Sequence, residues 1–167
     1  MHPETLFQIH LLAGYAAWLL CYGAYVRPWL KSMERDAALR VIATLHGFRF
    51  FGLVFLVPGV VGPGLPEGFA PAAAYGDFAT GLLAILALLT VRIPLLFWAF
   101  VVAFNLVGVG DLLLDYWHAV QGGLPEHAGA LGAAYAIPVL YVPLLMITHG
   151  YALYELARRR PRLAAAG

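Results

Sequence analysis

Six polar residues stand inside long apolar stretches of this chain: His46, Arg49, Asp77, Asn105, Asp111 and His149. Their types set the chemistry open to them. A guanidinium and two carboxylates can form a buried ion pair or hold a small polar ligand, an ion or a proton. Two imidazoles add proton exchange near neutral pH, metal ligation or axial ligation of a haem. His46 and Arg49 are three residues apart in LRVIATLHGFRFFGLVFLVPGVV, so on a helix they share a face. An arginine amid so many apolar neighbours costs about 3 kcal/mol to insert in a bilayer, which demands a partner or a wet cavity. The long Arg49 side chain is expected to reach Asp111 or Asp77.

The elements that position these residues follow from composition. Of 167 residues, 62% are hydrophobic and only 11% charged, against about 25% charged in a typical soluble domain. The apolar residues come in runs of membrane-spanning length without strand-like alternation. They predict an all-α membrane protein: one domain, a five-helix transmembrane bundle with spans near 5–26, 39–61, 72–91, 94–117 and 131–156. The turn TVRIP is so short that the third and fourth spans must form a hairpin, and Pro138 and Pro143 are expected to interrupt the fifth.

With five spans, Arg27, Lys31, Arg35, Arg40, Arg92, Arg158, Arg159, Arg160 and Arg162 all fall on one side, leaving Arg49 of the ten Lys and Arg within the apolar layer. The positive-inside rule then predicts an N-terminus outside and a C-terminus in the cytoplasm. MHPETLFQIH lacks a positive n-region, so the first run reads as a retained span. The single Cys21 excludes an internal disulfide and a cysteine-based metal cluster, and reads as a small apolar filler. A net charge of +1 gives no reason to expect nucleic acid. Trp29, Tyr75, Tyr116 and Trp117 are placed as interfacial anchors. Trp18, Trp98, Tyr135 and Tyr141 lie deeper, where they pack the bundle or shape a pocket for a lipid or quinone. His2, His118 and His127 are expected to be exposed, and His10 to cap the outer end or face headgroups. Asp115, one turn from Asp111, is read as solvated.

Three functional classes stay open. The leading expectation is a non-enzymatic binding or transport-associated protein that holds or conducts a polar ligand, an ion or protons at the six-residue cluster. The second is an electron-transfer protein with haem b between His46 and His149. Each of these histidines precedes a glycine, and Phe48, Phe50, Phe51 and Phe104 are expected to line the macrocycle. A mononuclear metal on the same histidines with Asn105 or a carboxylate is a variant of it, though no compact motif such as HExxH occurs. The third is a structural or accessory subunit in which the polar residues only fix helix register. Partners are the bilayer, a small molecule or ion, and either further copies of the chain or a larger membrane complex. No nucleophile–base constellation or nucleotide loop argues for an enzyme.

The stretches FNLVGVGDLL (104–113), HGFRFFGLVFLVPGVV (46–61), AAYGD (73–77) and VPLLMITHG (142–150) resemble a group of small bacterial integral-membrane proteins. The resemblance covers less than half of the chain but touches four of the five spans. It implies a multi-pass protein of the bacterial inner membrane, and it carries no activity or cofactor with it. Its motifs contain all six residues selected above on energetic grounds.

Overall fold

Alternating turns and apolar runs give five long helices in the computed structural model, which describes residues 2–158. They are α1 (Pro3–Lys31), α2 (Arg35–Leu56), α3 (Phe69–Leu89), α4 (Pro94–Gln121) and α5 (Ile137–Ala157), each long and apolar enough to cross a membrane. No strand occurs among the described residues. Arg159, Arg160 and Arg162 lie outside the described residues. Proline opens α1 and α4 within their first turn, where its missing N–H costs nothing.

Two boundaries differ from the hydropathy reading. α2 ends at Leu56 because Val57 is extended and Gly59 adopts a left-handed φ of +83°. The apolar residues 57–61 therefore run on as loop. The fifth helix begins at Ile137, because Gly132 turns the chain with φ +52° before it. The residues Ala128–Tyr135 form two short 3₁₀ turns broken at Gly132, and this stretch meets the 57–61 loop where the Gly62 N–H donates to the Ala130 carbonyl at 2.7 Å. Apolar content marks thickness, whereas glycine dihedrals decide where the helices stop.

Within α2, residues Phe48–Leu56 wind as a 3₁₀ helix. At three residues per turn, positions 49, 52 and 55 eclipse one another. Arg49, Gly52 and Phe55 are the buried residues of this stretch, while Phe48, Phe50 and Phe51 are exposed. The proline expectation for α5 is met: Ile137–Tyr141 form a π turn. Pro143 has no N–H to offer the Val139 carbonyl four residues earlier. That carbonyl instead faces Gly14 of α1, where any Cβ would overlap it.

α3 is the hub, packing along both α2 and α4, and α5 closes the bundle against α4, α2 and α1. α1 touches the rest along one seam, where Trp18 Nε1 donates to the Leu140 carbonyl at 2.9 Å, Tyr15 meets the Tyr116 hydroxyl at 2.6 Å and His10 meets the Tyr135 hydroxyl at 2.8 Å. Two apolar clusters form the core. One, around Leu39, Ile42, Ala84, Phe97 and Phe104, lies toward the end that carries Arg27, Lys31, Arg35, Arg92 and Arg158. The other, around Phe7, Phe55, Phe69, Leu131 and Ile137, lies toward the opposite end. The polar residues sit between them.

Candidate functional site

Helices α2, α3, α4 and α5 converge on Arg49, which is fully buried. Its Nε donates to Asp77 Oδ1 of α3 at 2.6 Å, and its Nη2 donates to Asp111 Oδ2 of α4. The third arm, Nη1, lies 3.3 Å from both the Gly108 carbonyl and His149 Nε2 of α5. The sequence offered Asp111 or Asp77 as partner; the guanidinium takes both. Such a planar fork presents separate N–H groups to the two carboxylates in a fixed geometry, which the single nitrogen of an ammonium does not reproduce.

The network continues through His149. Because Arg49 donates to Nε2, the Nδ1–H of His149 donates to Asn105 Oδ1 at 2.9 Å, and Asn105 Nδ2 donates to the Val101 carbonyl at 2.8 Å. His46 stands beside this line. Its ring centroid lies 3.9 Å from that of His149. Its Nε2 is 3.1 Å from the Thr148 hydroxyl, which donates to the Leu144 carbonyl at 2.9 Å and so accepts from His46. The Nδ1 atom of His46 is buried with no hydrogen-bond partner among the described residues.

All six residues selected from the sequence thus meet in one layer. Reading the sequence missed the glycines that let them meet. A Cβ at Gly52 would overlap the Asp77 carboxylate, one at Gly76 the Asp111 carboxylate, and one at Gly108 both Arg49 and His149. These glycines lie within the motifs quoted above, and their spacing from the charged residues (Arg49/Gly52, Gly76/Asp77, Gly108/Asp111) was the available signal. Thr148, immediately before His149, was also passed over.

Asp115 requires a correction. It is half-buried, not solvated, and together with Asp77 it borders a cavity of about 140 Å³ between α1, α3, α4 and the start of α5. The cavity surface as a whole is almost wholly apolar, with Phe7, Phe55, Phe69 and Ile137 among its walls and the two carboxylates only at its edge. The cavity lies on the side of the polar layer away from the basic end. Trp18 and Tyr135 do not line it; Tyr141 lines a separate apolar pocket with Leu45, Phe51 and Leu140, and Trp98 stacks on Arg35, whose guanidinium carbon is 4.6 Å from the ring centroid.

The haem arrangement does not fit these residues. His46 and His149 are in direct ring contact, so no macrocycle passes between them, and both nitrogens of His149 and one of His46 are already engaged. Three of the four phenylalanines expected to line a macrocycle, Phe48, Phe50 and Phe51, point outward, and only Phe104 is buried. For the metal variant with a carboxylate, among the described residues no group of three or more His, Cys, Asp or Glu is arranged to hold a metal ion; Asn105, its other ligand, is engaged with His149 Nδ1 and the Val101 carbonyl. His2, His10, His118 and His127 are exposed.

Fold and site together define an all-helical bundle with five helices of membrane-crossing length and a buried Arg–Asp–His layer at its centre. The chain belongs to the family of a domain of unknown function, DUF8737, whose model matches residues 6–157. No curated protein and no solved structure matches the chain.

Proposed function

We propose that this is a multi-pass protein of the bacterial inner membrane that binds a small molecule with an apolar body and a cationic or proton-donating end. The apolar body occupies the cavity and the polar end meets Asp115 and Asp77. The observation that carries this reading is the charge balance at the cavity floor. One guanidinium is shared by Asp77 and Asp111, so with both carboxylates ionised the trio carries one excess negative charge, and Asp115 stands nearby as a third carboxyl group. Excess charge in a low-dielectric interior is costly unless a proton or a cation offsets it. A cavity of 140 Å³ is close to the size that admits a benzene ring. That makes a compact ring or short chain bearing one amine the best-fitting class.

The test uses three probes of one shape, benzylamine, toluene and benzoate, added to the purified protein in detergent and followed by calorimetry or thermal shift. Benzylamine is expected to bind tightest and benzoate not at all. Asp115→Asn, which leaves the Arg49 bonds intact, is expected to weaken benzylamine roughly tenfold or more, the cost of losing one charge-assisted hydrogen bond. Equal binding of benzylamine and toluene, unchanged in Asp115→Asn, would reduce the cavity to a packing void. The layer would then be a purely structural register device, the reading favoured by the saturation of Arg49.

Orientation belongs to the same proposal: the end bearing the cavity faces outward, because the basic residues gather at the other end. In a Cys21→Ser background, Glu126→Cys should react with an impermeant maleimide in intact cells. Ser32→Cys should react only after permeabilisation. The reverse pattern would invert the topology.

A further inference from the structure

At the opposite end of the bundle a second pocket of about 310 Å³ opens between the α1–α2 turn and the last turn of α5. Its lining is polar, and it carries three cations, Lys31, Arg35 and Arg158, against one carboxylate, Glu155. Glu155 is buried and already accepts from Arg158 Nη1 at 3.1 Å. Tyr151 and Tyr154 supply two further hydroxyls.

Arg35 is fixed in place. It stacks on Trp98 and donates from Nη2 to the Leu156 carbonyl at 3.2 Å. Its Nε, however, is buried with no hydrogen-bond partner among the described residues. A buried guanidinium N–H without an acceptor is expensive, and its simplest remedy is an anionic oxygen. Arg158 is likewise braced over the Tyr154 ring, at 5.6 Å from the centroid, and Lys31 is exposed at the rim. Braced cations with an unused N–H donor, at the end of the bundle where the basic residues gather, have the donor set that a phosphate takes.

We infer that this pocket binds the phosphate of an anionic phospholipid, with Arg35 and Lys31 as its principal ligands. It is separate from the cavity above in position and in charge. Basic pockets between helices at the cytoplasmic face are suited to such headgroups, each cation being worth about fivefold in affinity.

The full-length protein in neutral detergent is titrated with phosphatidylglycerol, phosphatidylcholine or inorganic phosphate, and bound lipid is counted by native mass spectrometry. Phosphatidylglycerol adducts should exceed phosphatidylcholine adducts by about 25-fold, about fivefold from each of Arg35 and Lys31, with inorganic phosphate competing weakly. Lys31→Gln, at an exposed position, should cut the preference by about fivefold, and Lys31→Gln with Arg35→Gln should abolish it. Should the double variant fail to fold, Lys31→Gln alone decides. Equal retention of both lipids, or a preference unchanged in Lys31→Gln, would overturn the assignment. So would inorganic phosphate displacing phosphatidylglycerol fully at millimolar concentration, which would identify free phosphate as the occupant.

Discussion

Arg49→Met is expected to be among the most damaging single substitutions in this protein, lowering stability by about 3–5 kcal/mol. The loss comes less from the missing attraction than from what remains. Asp77 and Asp111 would face each other across a buried layer with their cation gone, and the Gly108 carbonyl and His149 would lose their donor. Removing all the charges together should therefore be milder than removing one. Arg49→Met combined with Asp77→Asn and Asp111→Asn is expected to recover much of the loss, as a neutral layer replaces an unbalanced one. Arg49→Lys should recover little, because one ammonium cannot reach both carboxylates with the geometry of the fork. The measurement is unfolding of each variant in mixed micelles against wild type. A fully stable Arg49→Met would mean the guanidinium holds nothing together.

The second large effect is steric, and α4 contains its own control. Gly108→Ala would place a methyl group against Arg49 Nη1 and the His149 ring, whereas Gly110→Ala meets nothing within 4 Å. Gly108→Ala is expected to cost about 1–3 kcal/mol, the usual penalty for overfilling a packed interior. Gly110→Ala should be neutral or stabilising by up to roughly 1 kcal/mol, because alanine suits a helix better than glycine. Gly76→Ala, which overlaps the Asp111 carboxylate, should behave like Gly108→Ala. Equal stability of Gly108→Ala and Gly110→Ala would mean that the helices have slack at the polar layer.

Most of the layer was legible because the bilayer makes polar residues conspicuous. One arginine without an interfacial position forces a search for carboxylates, and only Asp77 and Asp111 stand deep in apolar runs. The same cost argument picked out Asn105, His46 and His149. What it could not supply was geometry. Two histidines at similar depth suit a haem or a stacked pair equally well, and it took the 3.9 Å ring separation to decide between them. Asp115 read as solvated because depth along a helix says nothing about which neighbour shades it. Helix ends were misjudged at residues 57–61 and 131–136 for a related reason: valines and alanines are as apolar in a loop as in a helix. The 3₁₀ winding of Phe48–Leu56 was hidden for the same cause, since hydropathy does not report dihedral angles.

That winding links the two ends of the cavity. Arg49 binds Asp77 at its floor while Phe55 forms part of its wall, and both hang from a single backbone line. Each residue of a 3₁₀ helix turns about 20° further than in an α-helix, and rises about 0.5 Å more. Rewinding these six steps to α geometry would swing Phe55 by about 120° relative to Arg49 and draw it about 3 Å closer along the axis. One nine-residue stretch thus both aims the salt-bridged arginine and sets the aromatic wall, so the bearing of one fixes the bearing of the other.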